Sequence, residues 1–417
     1  MATIAPFKAV LYNKEKIKDI SLLIAPPYDV IDSEGVEKLY AKDEHNIIRV
    51  ILGKDAATDN SSENKYIRAA QFIKNCLAEG VLKEDPDPCI YVLEQEFIVR
   101  GIKYLRKGFF ALLKFDKESS AKPHENTYQK AKDDRMALLR ATMTNTEPVF
   151  AFYPGDLGAE AEGTVIFEAR DDSGGIHRLK RVSDPKMLDN VVSAMKKKNV
   201  YIADGHHRFE TALSFAKDMG AAPSSDAPHN FIMMYFTASN DPGLLVLPIH
   251  RVVKIADEDI STIMNAAKKY FLIVEIDSFE RIEKAVGHVF GFYSKKNDKL
   301  YMFKLRDAYA KDKVMKERGK LDQKDLDVSI LHTLLLDDIL AKYKDKETSE
   351  VIVYSHDENE ALNMAKKGRY NAAFLLRPTK LDQIMKAADA GLKMPQKSTF
   401  FYPKLASGLV MRRIGSG

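Results

Sequence analysis

Tryptophan is absent, and cysteine occurs only as Cys76 and Cys89 in a chain of 417 residues. Two thiols cannot build a disulfide framework, so a hydrophobic core has to hold this chain, and a reducing cytoplasm is the expected compartment. Long apolar runs are missing too. None approaches the roughly 20 residues needed to cross a bilayer, and residues 1–19 scatter lysines at positions 8, 14, 16 and 18, unlike a secretory signal. An excess of one charge is also lacking. Against 64 Lys and Arg stand 60 Asp and Glu, a net charge of +4 that gives no general argument for nucleic acid or a membrane surface. Neither Cys-x-x-Cys, His-Glu-x-x-His nor the Walker A pattern Gly-x-x-x-x-Gly-Lys-[Ser/Thr] occurs, which excludes those metal sites and an ordinary P-loop.

What is present is 45% hydrophobic and 30% charged residues, the balance of a globular protein long enough for two or three domains. The chain is organised around residues 200–216. Val200 to Ala203 form a short apolar run, while Phe209, Ala212, Leu213 and Ala216 recur at helical spacing. The stretch therefore reads as buried strand, tight turn and amphipathic helix, with 204–208 as the turn. A helix start leaves backbone N–H groups unpaired and favours an anion, most often a phosphate. Gly205 lets the backbone approach such a ligand, Arg208 adds a forked grip, and Asp204, His206 and His207 bring acid–base or metal-holding groups to the same edge. Adjacent histidines lie far apart around a helix, so zinc is the weaker version of this site.

Elsewhere, Pro26-Pro27 present Tyr28 and Asp29 from a rigid turn, in which Asp29 is a site carboxylate or a plain cap. Residues 120–145 hold His124, Glu125, Lys132 and Arg135 among few apolar neighbours, a candidate lid over a phosphate pocket. A strand over 244–248 leads to His250 and Arg251, and in an open sheet Arg251 is placed to meet Asp204. The stretches 22–25 and 46–52 read as strands, 282–289 and 327–343 as helices, and 100–107 as a basic turn. The tail 394–404 interleaves lysines with aromatics, and Lys397 is its candidate point charge toward a phosphate. No internal repeat is found. The expected architecture is α+β, with one domain over 1–253 and an α/β domain over 254–417.

Ala203-Asp204-Gly205-His206-His207-Arg208 resembles the signature of a large prokaryotic domain-of-unknown-function family. The likeness extends to Pro26-Pro27-Tyr28-Asp29-Val30-Ile31, His124-Glu125-Asn126-Thr127, Leu247-Pro248-Ile249-His250-Arg251 and the block from Met394 to Lys404. More distantly, the central box resembles the Gly-x-x-Arg phosphate box of the ParB/sulfiredoxin superfamily, which includes nucleotide-dependent free-serine kinases. That resemblance implies a ParB/sulfiredoxin-like nucleotide-binding core and a phosphotransferase using ATP or ADP with Mg²⁺ on a small hydroxyl substrate, serine first. It also implies an acidic catalytic residue, for which Asp29 and Glu125 are the candidates, beside Asp204 and His207. Two other functions stay open: a nucleotide-gated regulatory module, and a phosphodiester hydrolase using the same grip. The partners expected are a nucleotide and a small molecule, not a membrane or nucleic acid, with a homodimer left open.

Overall fold

A computed structural model describes residues 2–115, 121–158, 163–220, 222, 225–343, 347–395 and 397–415. The chain divides into two compact units. The first comprises Met1–Pro123, Thr127–Leu245 and Pro403–Gly417; the second comprises His124–Asn126 and Val246–Tyr402. Chain order alone puts 403–417 in the second domain and the boundary at 253. The last segment instead joins the first unit, because Met411 pairs with Val10 and Ser407 with Ala25 through backbone hydrogen bonds.

The main sheet of the first unit has eight strands among the described residues. They are β1 (Ile4–Ala5), β2 (Ile90–Val99), β3 (Ile102–Lys114), β4 (Val149–Tyr153), β5 (Thr164–Arg170), β6 (Ile176–Val182), β7 (Tyr201–Asp204) and β8 (Phe231–Ala238). Their order is β7-β4-β8-β3-β2-β6-β5, with β1 added on β3. Neighbours run antiparallel except β4 and β8, which are parallel. The central strands β4 and β8 are buried almost throughout, as expected for near-continuous apolar runs covered on both faces. Helices α1 (Lys65–Ala78), α2 (Gln129–Thr142), α3 (Pro185–Met195) and α4 (His206–Asp218) complete this unit's main elements. Helix α4 buries Phe209, Ala212, Phe215 and Ala216 in the core that β4, β7 and β8 share, so its first turn is held at the end of β7.

The second unit holds a six-stranded antiparallel sheet with its own core. Its strands are β9 (His250–Val253), β10 (Phe271–Ile276), β11 (Val289–Ser294), β12 (Lys299–Leu305), β13 (Ile352–Ser355) and β14 (Ala372–Leu375), in the order β10-β12-β11-β14-β9-β13. The chain is thus mixed helix and sheet. Among the described residues no helix is long and apolar enough to cross a membrane.

Several local readings change. The apolar run 46–52 holds a short helix, Ile48–Ile51, whose first amide donates to the side chain of Asn46, the residue before its N-cap Ile47. A short apolar run cannot by itself tell strand from buried helix. Of residues 22–25, Leu22 ends a 3₁₀ turn, Ile20–Leu22, capped by Asp19, and Ala25 makes a single bridge to Ser407. The expected helix over 282–289 stops at Glu283, and Gly287, in the left-handed region at φ 88°, precedes β11. The basic turn shrinks to Arg100 and Gly101, both at positive φ as a tight hairpin requires, and Lys103 to Lys107 lie in β3. The leucine-rich stretch 327–343 is helical with a π segment, His332–Leu336, in its middle. Gln396, in the tail 394–404, lies outside the described residues.

Candidate functional site

Strand β7 does not hand Asp204 to the turn in simple alternation. Ile202 pairs with Ala151 and Asp204 with Phe150, so Ala203 is an extra, bulged residue. A bulge re-aims the side chains after it. Gly205 follows at φ 89° and starts α4 with no side chain capping the helix. A Cβ at 205 would sit 3.0 Å from Arg208 Nη2, so the position requires glycine both for its backbone and for the guanidinium beside it. Gly205→Ala is expected to cost about 1–2 kcal/mol for the left-handed backbone alone. Denaturant unfolding reads this, and an unchanged midpoint would contradict the left-handed backbone at 205.

Four segments of the first unit converge at this helix start. Arg208 donates from Nη2 to Asp204 Oδ2 at 2.8 Å and from Nη1 to the Pro148 carbonyl. The other Asp204 oxygen accepts from Lys404 Nζ at 2.5 Å, and the same ammonium donates to Asp29 Oδ2 at 2.8 Å. Lys404 therefore bridges two carboxylates 375 and 200 residues away in sequence. Its segment is pinned by the Ala25–Ser407 pairing, which also fixes the entry to Pro26-Pro27. Ser407 donates to Glu147 Oε1 at 2.7 Å, and that oxygen lies 3.4 Å from the Tyr28 amide. Arg135 lies 3.9 Å over the Tyr28 ring and 3.8 Å from Glu147 Oε2.

Beside this cluster is a cavity of about 40 Å³, lined by Arg135, Glu147, Arg208 and Thr211 among others. Two buried polar atoms of its lining have no hydrogen-bond partner, Glu147 Oε2 and Arg208 Nε.

The charges are strongly coupled. Burial alone would raise the Asp204 pKa, but the Lys404 ammonium and the Arg208 guanidinium outweigh it and hold the carboxyl well below the usual carboxylate range. Burial would lower Lys404, but Asp204 and Asp29 hold it above the usual lysine range. Burial pushes the Tyr28 phenol up to about 12 against the opposing pull of Arg208 and Arg135. The sign of the linkage follows. Because the folded pKa of Asp204 is depressed, its stabilisation is complete above the unfolded value of about 4 and is lost as pH falls below it. Melting the protein between pH 5 and pH 2 should show a loss that is smaller in Asp204→Asn. Equal slopes would contradict the pairing.

The remaining predicted residues fall in two groups. In the first unit, His206 is buried at the first helical position. His207 accepts the Tyr128 amide at Nε2 (2.9 Å) and stacks on the Tyr128 ring, and burial lowers its pKa, favouring the neutral ring. Lys132 pairs with Glu210 at 3.4 Å, and Arg135 is buried, donating to Asp134 and to the Ile51 carbonyl.

In the second unit, His124 is buried with Nε2 3.1 Å from Thr399 Oγ1, and Thr399 donates to Glu125 Oε1 at 3.1 Å. His250 Nδ1 accepts the Leu376 amide at 3.1 Å. Arg251 is fully buried, donating to the carbonyls of Ile249 and Lys397, and burial pushes its pKa down to about 10. Asp204 bonds Arg208 and Lys404 within the first unit, and Arg251 bonds these carbonyls within the second. Lys397 is exposed in the left-handed region at φ 54°, and its carbonyl meets Arg251.

The family model described as Protein of unknown function (DUF1015) matches residues 4–329. The chain belongs to this family. No curated protein matches it. Among solved structures, a conserved hypothetical protein from Pyrococcus furiosus is 16% identical, with 72% of this chain and 93% of that chain covered at a TM-score of 0.36. A free serine kinase in complex with AMP is 14% identical over 70% of this chain and 86% of that one, with a TM-score of 0.36. SbnI from Staphylococcus aureus is 8% identical over 72% and 85%, with a TM-score of 0.35. At this level a likeness says nothing about ligand or reaction.

In this DUF1015 protein two members of the cluster escape a reading by motif, Lys404 and Glu147. Lys404 sits in the same basic tail as Lys397, and only burial separates them: Lys404 is enclosed and Lys397 exposed. Glu147 falls between the polar Thr144-Asn145-Thr146 and the apolar run from Pro148 to Phe150, which gives it no local signal as a site residue. Among the described residues no group of three or more His, Cys, Asp or Glu side chains is arranged to hold a metal ion.

Proposed function

We propose that this protein binds a nucleoside di- or triphosphate with Mg²⁺ at the start of α4 and transfers a phosphoryl group to a small hydroxyl compound. The observation that supports it is an uncapped helix start at left-handed Gly205 with the cations Arg208 and Lys404 and the carboxylates Asp204 and Asp29 beside it. Phosphoryl transfer asks a protein for positioning and charge neutralisation more than for covalent chemistry. Backbone N–H groups of the first turn, Arg208 and Lys404 serve the donor phosphates. Both Asp204 oxygens are engaged by those cations, so its role on this reading is to hold them in place.

Asp29 has one oxygen outside its Lys404 bond and is 35% exposed, which suits a carboxylate that meets the acceptor hydroxyl or the nucleotide's Mg²⁺. The ion supplies neutralisation of phosphate charge. Serine is the first acceptor to assay, from the resemblance of the 203–208 box to the ParB/sulfiredoxin phosphate box. The same reading takes the first unit as a core of that kind and the second as an added domain.

The test follows labelled phosphate from ATP and from ADP into serine and a panel of other hydroxyl metabolites, with a thermal-shift series of nucleotides with and without Mg²⁺ alongside. A shift of several degrees with nucleotide is expected, since native-state binding raises apparent stability. The second reading, a nucleotide-gated module, is favoured by the engagement of Asp204 and of His207 Nε2 in internal bonds. Tight nucleotide binding without transfer to any acceptor selects it.

A further inference from the structure

Lys404 follows Pro403, and the Pro403 carbonyl is held at 2.7 Å by Arg106 Nη2. Arg106 is completely buried. Its guanidinium lies 4.7 Å over the Phe150 ring, and its backbone is packed so closely that a Cβ at Gly243 would fall 2.5 Å from the Arg106 amide nitrogen. Nε and Nη2 both donate to Gln95 Oε1, at 3.0 and 2.6 Å. Gln95 is itself buried and stands 3.3 Å from His177 Nδ1 through Nε2, while His177 Nε2 stands 2.8 Å from Asp171 Oδ2. Asp171 also accepts from the Ser173 hydroxyl and the Gly175 amide.

The direction of every bond in this chain is determined by its ends. A guanidinium only donates, so the Gln95 oxygen must face Arg106 and its NH₂ must face His177. His177 Nδ1 is then an acceptor, and the ring proton sits on Nε2, donating to Asp171. Against burial, which would raise it, the bonds from His177 and Ser173 bring the Asp171 pKa down to about 2, so this end is an acceptor at neutral pH. With proline fixing φ at 403, holding its carbonyl sets the peptide plane from which Lys404 departs.

We propose that Arg106 is a positioning residue for Lys404, oriented by a buried chain from Asp171 through neutral, Nε2-protonated His177 and Gln95. The functional part of this rests on the phosphotransfer reading above; the structural part does not.

Two measurements keep them apart. Nitrogen-15 spectra of the histidines in the full-length protein at neutral pH should show His177 protonated on Nε2 and bare on Nδ1. Hydrogen exchange of the amides at 405–407 should rise tenfold or more in Arg106→Met and return toward the native rate in Arg106→Lys, which keeps a donor to Pro403. In the transfer assay Arg106→Met should lower kcat at least tenfold with KM changed less than threefold. A merely structural role would not split the two constants or be rescued by lysine.

Gln95→Glu gives a second handle should Arg106→Met fail to fold. Its carboxylate still accepts from Arg106, so exchange at 405–407 stays native, but it now faces Nδ1 with an acceptor and His177 should become doubly protonated. A proton on Nδ1 in the unmodified protein, or native exchange in Arg106→Met, overturns the proposal. Altered exchange and the expected tautomer without any phosphoryl transfer overturn the phosphotransfer reading and leave the positioning geometry standing.

Discussion

Turnover in the phosphate-transfer assay should fall by a hundredfold or more in Asp204→Asn and in Arg208→Ala. Groups that stabilise charge at a reacting centre are typically worth roughly that much or more. The two variants should nevertheless fail differently. Arg208→Ala removes a donor to the Pro148 carbonyl together with the partner of Asp204, so it loses packing as well as charge. Asp204→Asn keeps shape and volume but leaves Arg208 and Lys404 less firmly held, so both cations are misplaced while the fold survives. Arg208→Lys keeps the charge without the fork that reaches Asp204 and Pro148 together, and should recover only part of the activity. Rates within threefold of the native protein's in all three variants would remove this cluster from the proposed reaction.

Lys404→Met should be the most damaging single change in the C-terminal segment, lowering stability by roughly 2–4 kcal/mol as well as activity. The Lys404 side chain is 14% exposed and Asp204 22%, so removing the ammonium takes a partner from a carboxylate that water reaches poorly, and from Asp29, which is 35% exposed. Breaking such a pair is strongly destabilising, on the order of 3–5 kcal/mol when fully buried, and the partial exposure here lowers that figure. Its raised pKa means that the stabilisation is complete below the unfolded value of about 10.4 and is lost as pH rises past it. Denaturant unfolding at pH 7 and pH 11 measures both. Lys397→Met is the control from the same tail, and being exposed it should change stability by less than about 0.5 kcal/mol. Equal effects of the two substitutions would contradict the bridging role of Lys404.

The contrast between these two lysines shows where reading residues in order stops. The strand, the turn and α4 were legible because each rests on neighbours a few positions apart: an apolar run, a glycine and a period of 3.6. The run 46–52, read as a strand, is a helix over Ile48–Ile51, because a short apolar run fits a buried strand and a buried helix equally well. The π segment inside 327–343, which buries Thr333, Leu335 and Leu336, was not read from the leucine pattern, since a single wide turn is too short to set a period of its own. His124 and Glu125 were legible as polar residues in an apolar-poor stretch, but their shared partner Thr399 is more than 270 positions away.

By itself the sequence determined that a core without disulfides would hold the chain, that helix and sheet would be mixed, and that residues 204–208 would stand where a strand turns into a helix. Those properties follow from composition and local periodicity. Which groups face that turn was decided only by tertiary structure. Asp29, Glu147 and Lys404 reach it because the segment after Pro403 returns to pair with Ala25 and Val10, and because Arg106 and Ser407 fasten it there. A charge becomes part of a site when burial strengthens its interactions and leaves it one set of partners, and burial is a property of the folded surroundings.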